Sequence, residues 1–277
     1  MANSTIKQIV QGMPASDGAG VKLKRVLGQP MLKRLDPFLM LDEFGSEDAN
    51  DYIAGFPAHP HRGFQTVTYM LTGKMGHKDS VGNQGVIEDG GLQWMNAGKG
   101  IIHEEMPQQT EGRMRGFQLW VNLPAKDKMS DPGYQDIPSA EINEVKIGNH
   151  SIARVLAGEL NGQLGAVTTQ AVKPQFYDLH LAENESIDID VIKGHNGFIY
   201  VYEGKLSVAD KEINKGQLGV LSIEDILRLN TKVAAKAIVV TGKPIGEPVE
   251  QYGPFVMNTK AEINQALADY QANRLTA

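Results

Sequence analysis

The chain has 277 residues, 41% of them hydrophobic and 22% charged, and a formal net charge of −6. That composition belongs to a folded globular protein, and the acidic balance disfavours direct nucleic-acid binding. Cysteine is absent, which excludes disulfides, thiolate metal sites and cysteine nucleophiles, and no apolar run nears the ~18 residues of a membrane span.

The opening stretch, MANSTIKQIVQGMPASDGAG, has no apolar core of the kind a secretory signal needs, so a cytoplasmic protein is expected. The densest basic segment follows, VKLKRVLGQPMLKR. Lys22 and Lys24 alternate there with Val21 and Leu23, ahead of Val26 and Leu27, so the segment reads as a strand with one solvated face. Thirty glycines and thirteen prolines then punctuate short β-branched and apolar runs, among them TVTYMLTG, GFQLWVNLP, SIARVLAGEL, QFYDLHL, GFIYVYEGKLSV and AAKAIVVTG. Many short strands at this spacing predict a sandwich or barrel and not βαβ units. SIEDILRLN fits a helical turn or a strand equally well. The tail, NTKAEINQALADYQANRL, pairs Thr259 with Glu262 in capping-box spacing. Its Ile263, Leu267 and Tyr270 recur at helical intervals, so a C-terminal amphipathic helix is expected.

An internal echo organises the chain. YMLTGKM, from Tyr69, matches YVYEGKL, from Tyr200, and each is followed by a glycine-bearing strand, GGLQWM and KGQLGVL. Two similar β halves are expected, 1–137 and 138–277, with PAKDKMSDPGYQDIPSAE as the linker between them.

The chemistry concentrates in the first half. Side chains two apart on a strand share a face about 6.5–7 Å apart, so His59 and His61 of HPHRGFQT project together. His103 and Glu105 of GIIHEEMP repeat the arrangement, with Glu104 facing the other way. Three imidazoles and one carboxylate form a plausible donor set for a single cation. Pro60 and Pro107 place both segments at strand ends or edges. His77, His150, His180 and His195 are isolated and read as core or surface residues. In the second half, Asp190 and Ile192 align with the first histidine pair, and Arg228 and Asn230 with His103 and Glu105. A metal is therefore expected in the first half and none in the second.

The segments HPHRGFQTVTYMLTG, DGGLQWMNAGKGIIHEEMP, RGFQLWVNLP, GPFVMNT and DPFLMLDEFG together resemble the pirin family of the cupin superfamily. The resemblance covers nearly the whole chain. It implies an all-β bicupin, two tandem antiparallel β-sandwich (jelly-roll) barrels with a C-terminal α-helix and a metal in the N-terminal barrel only. The family's ligands fall on His59, His61, His103 and Glu105. The general cupin motifs are kept in part: Gln65 stands where a glutamate is usual, Asn96 where a proline is usual, and four residues separate Gly98 from His103. The cofactor implied is one divalent ion, Fe2+ first, with Ni, Co, Mn, Cu or Zn compatible with the same donors.

The activity implied is that of a quercetin 2,3-dioxygenase, which opens the central ring of a flavonol with O2 and releases CO, with Glu105 as the catalytic base. The partners are then a flat aromatic flavonol and O2, with no nucleic acid and no membrane. Other pirins resemble transcriptional co-regulators, so a metal-dependent protein-interaction factor with a protein partner is the alternative. A zinc isomerase of sugar phosphates is disfavoured, because no phosphate-binding cluster adjoins the ligands. Phe56 and Pro57 are candidates for the pocket entrance. Trp94, Met95 and Met106 are candidates for its wall, with barrel core the stronger reading for Trp94. Lys99, in AGKGI, reads as a solvated side chain.

Overall fold

The structure, a computed structural model, describes residues 2–168 and 171–276. The chain forms two compact units. One is built from the chain up to Met13, from Val26–Pro37 and from Ala140–Pro244; the other is built from Pro14–Arg25, Phe38–Ser139 and the chain from Ile245 onward. Each unit contains antiparallel sheets, as expected of a jelly roll. No helix among the described residues is long and apolar enough to cross a membrane.

In the second unit, a seven-stranded sheet runs in the order Gly133–Ile137, Leu92–Asn96, Phe64–Thr72, Met114–Asn122, Phe38–Ser46, Val21–Leu27, Met13–Asp17. A four-stranded sheet runs Phe56–His61, Ile101–Pro107, Met75–Asp79, Gln84–Ile87. Phe44, Tyr52, Phe56, Met70, Met75 and Met114 form one apolar cluster in this unit. The strand expected at VKLKRVL is present, with Val21 and Leu23 buried and Lys22 exposed. The expected linker corrects to something more integral. Its Gly133–Ile137 segment pairs along its length with Leu92–Asn96 and forms an edge of the seven-stranded sheet.

The other unit repeats the plan, with a seven-stranded and a four-stranded sheet. Two features of the echo survive folding. Gly73 and Gly204 both close turns at positive φ, +94° and +66°, a region open to glycine. Tyr69 and Tyr200 are both buried. SIEDILRLN resolves as the strand Ile226–Asn230, which pairs with Ser186–Asp190.

That pairing corrects the alignment of Arg228. Arg228 lies on the outer face in a two-pronged bond to Asp188, Nε to Oδ1 at 2.7 Å and Nη2 to Oδ2 at 2.6 Å. The inward positions are Leu227, Leu229, Ile187 and Ile189, all buried in one aliphatic core. The interior of this barrel is hydrocarbon where its counterpart carries histidines.

The chain termini sit away from a linear division at 137/138. The strand Thr5–Gln11 pairs with Gln217–Ser222 in the first unit, and the C-terminal segment folds into the second. The expected helix is Lys260–Gln271, with the Thr259–Glu262 capping box formed in both directions. Ile263 and Ala266 pack it against Phe255, Met257 and Leu275.

Two buried cations fasten this tail beside the histidine strand. Arg62, 4% exposed, bonds the Lys99 carbonyl through Nε, Asp269 through Nη1 at 2.8 Å and the Leu275 carbonyl through Nη2 at 3.2 Å. Lys128 donates to the Gly63 carbonyl at 2.8 Å, to Asn122 Oδ1 at 2.7 Å and to the Val256 carbonyl at 3.0 Å. Its three N–H donors thereby meet three neutral acceptors, and burial pushes its pKa down to about 8. Between them, Gly63 turns at φ +86°, where an added Cβ would meet the Val256 carbonyl oxygen at 2.0 Å.

Candidate metal centre

Antiparallel pairing of Phe56–His61 with Ile101–Pro107 sets His103 opposite His59 and Ile101 opposite His61. Directly opposed residues share a face of the sheet. Alternation along the second strand buries Ile101, His103 and Glu105 and leaves Ile102, Glu104 and Met106 half-buried. The rings of His59, His61 and His103 converge, with centroids 4.6, 4.6 and 5.0 Å apart. Their candidate ligand atoms all lie within 4.8 Å of one another. Nitrogens bound to one ion at 2.0–2.1 Å stand at most about 4.2 Å apart, so modest ring tilts close the set.

The donor chemistry fits a divalent cation. His59 Nδ1 lies 2.8 Å from the Pro57 carbonyl. A carbonyl only accepts, so Nδ1 carries the hydrogen and Nε2 keeps its lone pair. His61 and His103 are 2% and 1% exposed. His61 Nδ1 and both ring nitrogens of His103 have no hydrogen-bond partner. A buried polar atom left without a partner costs about 1–3 kcal/mol, and a bound cation removes that cost. Burial, reinforced by neighbouring histidines, holds the His61 pKa well below the ordinary value. Burial likewise takes His103 down to about 4, with Glu105 opposing the shift. Both rings are thus kept in the neutral form that ligates metals.

Glu105 is placed differently. Its carboxylate is 1% exposed. Oε1 accepts from Thr68 Oγ1 at 2.9 Å and Oε2 from Gln118 Nε2 at 2.7 Å. The Gln118 amide is oriented in turn by Trp120 Nε1, 3.4 Å from its Oε1. Among the described residues, the convergent group comprises His59, His61 and His103. Glu105 stands outside it with both oxygens engaged.

Strand register extends this polar grip into a row. Asp136 lies opposite Gln93, Gln93 opposite Thr68, Thr68 opposite Gln118, and Gln118 opposite Asp42. Arg25 bonds Asp42 through both Nε and Nη2, at 3.0 and 2.7 Å, and reaches Asp17 at 3.0 Å. A line of polar side chains therefore crosses the sheet whose middle members hold Glu105.

A cavity of about 650 Å3 opens on His59 and His61. Its apolar walls include Leu23, Met40, Phe44, Phe56 and Trp120, and Gln118, Asp42, Arg25 and Asp17 add polar lining. Of the pocket candidates from sequence, Phe56 and Pro57 line it. Trp94 and Met95 are buried in the barrel. Met106 lines a separate groove beside His77, and Lys99 sits 3.3 Å from Asp131. The remaining histidines stand outside the cluster, although His77 lies opposite Glu105 on the neighbouring strand. His77 stacks on Tyr134 and lies 3.3 Å from Asp136, His180 bonds Asp178 and His195 bonds Thr241, and His150 is exposed. Arg25, Asp42, Gln118 and Trp120 escaped the sequence reading, although alternation in GFQLWVNLP puts Gln118 and Trp120 on one face.

Two antiparallel barrels, one with a three-histidine cluster beside a cavity, define a bicupin. Comparison with known proteins specifies which. The Pirin family model matches residues 20–121, and the model of the pirin C-terminal cupin domain matches residues 176–276. The chain belongs to the pirin family. It is 49% identical over 273 residues to a Pseudomonas aeruginosa protein provisionally named a quercetin 2,3-dioxygenase, covering 96% of each chain. It is 40% identical over 264 residues to human pirin, covering 92% of this chain and 88% of that one. The crystal structure of a quercetin 2,3-dioxygenase from Acinetobacter baumannii superposes with a TM-score of 0.92 at 35% identity, covering 100% of this chain and 99% of the other.

Proposed function

We propose that the protein is a metal-dependent dioxygenase that opens the central ring of a flavonol such as quercetin with O2 and releases CO. The observation that carries this reading is the junction of three convergent imidazoles, two of which line it, with a largely apolar cavity of about 650 Å3, in a chain whose relatives include proteins named for that reaction. His59, His61 and His103 would hold the ion, with Glu105 as a fourth donor, and the ion would be Fe2+ first among the divalent metals that such donors accept. Bound there, the ion supplies Lewis-acid and redox chemistry to the organic substrate and O2. The other unit, with its hydrocarbon interior, carries no part of the metal chemistry.

The protein's own contribution is placement. Leu23, Met40, Phe44, Phe56 and Trp120 take up a planar ring system and displace water from it. Glu105 accepts the proton of the flavonol 3-hydroxyl, as general base. Thr68 and Gln118 fix the carboxylate before the substrate arrives, so orientation is not lost at the moment of proton transfer. Deprotonation there makes the central ring electron-rich at carbon, and it is the ring carbons flanking the 3-position that take up the two atoms of O2 as that carbon leaves as CO.

An aerobic assay tests the reading. Protein reconstituted with Fe2+, Ni2+, Co2+ or Mn2+ should consume quercetin in an O2-dependent reaction with stoichiometric CO, and Glu105→Gln should slow it by at least about 100-fold, the typical worth of a general base. Metal-loaded protein that turns over with none of these ions would refute the enzyme and favour the metal-dependent interaction factor instead.

A further inference from the structure

The reading of the cavity as a flavonol site leaves its far wall unexplained. Besides His59, His61 and Gln118, its polar lining comprises Gln251 and the end of the polar row, where Asp42, Arg25 and Asp17 meet. Neighbouring strands stand about 4.8 Å apart, and the strands run in the order Met114–Asn122, Phe38–Ser46, Val21–Leu27, Met13–Asp17. Asp42 therefore lies one strand beyond Gln118, Arg25 two and Asp17 three. All three line the same cavity as His59 and His61, so a flavonol whose fused two-ring part is held at the metal end would bring its pendant phenyl ring toward this cluster.

The cluster's chemistry is that of an acceptor. Arg25 is spent on two carboxylates, bidentate to Asp42 and singly to Asp17, and the three groups sum to one negative charge. An anionic substituent would have to displace Asp17 to reach the guanidinium. A hydroxyl donor needs no displacement, because a carboxylate has about four lone-pair positions and the Asp17 side chain is 52% exposed. The Asp42 side chain, 4% exposed, anchors the cluster and is not free to turn away.

We propose that Asp17, held by Arg25 and Asp42, is a hydroxyl-recognition subsite that selects ligands with phenolic hydroxyls on the pendant outer ring and rejects ligands with an anionic group there. This rests on the flavonol reading of the cavity. It adds the part of the substrate that the metal centre does not touch: a neutral, hydroxylated outer ring.

Anaerobic calorimetric titration of the metal-loaded protein tests it without requiring turnover. The probes are quercetin, with two hydroxyls on the outer ring, galangin, with none, and a quercetin sulfonated on that ring. Quercetin should bind about tenfold more tightly than galangin, the worth of a hydrogen bond to a charged group, and the sulfonate should bind most weakly. In Asp17→Ala, and less completely in Asp17→Asn, the quercetin preference should shrink at least threefold and the sulfonate should gain, since Arg25 is then uncovered. Asp17 is half-exposed at a sheet edge, and unchanged metal content and melting temperature verify that the variants fold. Equal binding of all three by the wild type, or a ratio unmoved by Asp17→Ala, overturns the subsite while leaving the flavonol reading standing. Binding of none of the three overturns both.

Discussion

His61→Ala should bind its divalent ion more than about 100-fold more weakly than the wild type, beyond the 10–100-fold that loss of a ligand's outer partner costs. The ring is 2% exposed and, among the described residues, is one of three that converge. Removing it leaves two imidazoles and the Glu105 carboxylate, and a cavity that water fills without replacing the lost ring's geometry. His59 cannot compensate, because its Nδ1 is committed to the Pro57 carbonyl. Competitive titration with a chromophoric chelator measures the affinity directly. The control is His150→Ala, an exposed histidine in the other unit, which should change nothing. An affinity within tenfold of wild type in His61→Ala would remove His61 from the centre.

Arg62→Met should be the most destabilising single change near the site. The substitution keeps much of the volume but leaves the Asp269 carboxylate and the carbonyls of Lys99 and Leu275 without their shared partner. Leaving a buried acceptor without its partner costs about 1–3 kcal/mol, so loss of the donor shared by these carbonyls should lower Tm by several degrees in a protein of this size. Because Arg62 adjoins His61 and ties the C-terminal helix to the turn after it, metal affinity should fall as well. Arg62→Met combined with Asp269→Leu should recover part of the loss, since the stranded carboxylate is gone. Lys74→Met, at an exposed pair with Glu88, is the comparison and should leave Tm nearly unchanged. A calorimetric Tm for Arg62→Met within 3 °C of the wild type would show that the tail is held by its apolar contacts alone.

The three converging histidines are legible in the sequence because strand geometry is short-range. A period of two puts His59 with His61 and His103 with Glu105 on common faces, and only the pairing of the two strands had to be supplied by folding. The helix was equally plain, since Thr259 and Glu262 announce its start. What escaped depends on long-range register. TIKQIVQ alternates like any strand, but nothing in it names a partner more than 200 residues away at Leu221. GYQDI is embedded in a stretch of prolines, aspartates and small residues that imitates a linker. Arg228 was aligned with His103, yet it faces outward. The His59 strand pairs with a register shift between His103 and Glu105, and its counterpart pairs without one. A slip of one residue exchanges the two faces. The clamp on Glu105 was invisible for the same reason: Thr68 and Gln118 come from strands 37 and 13 residues away.

Anomalous diffraction from crystals of the purified protein, recorded on both sides of the absorption edge of whatever metal elemental analysis finds, goes most directly to the heart of the account. It should show one peak per chain, within bonding distance of His59, His61 and His103, and none in the unit lined by Leu227 and Leu229. Density for the ion anywhere else, or those three imidazoles turned away from one another around no ion in metal-replete crystals, would contradict it.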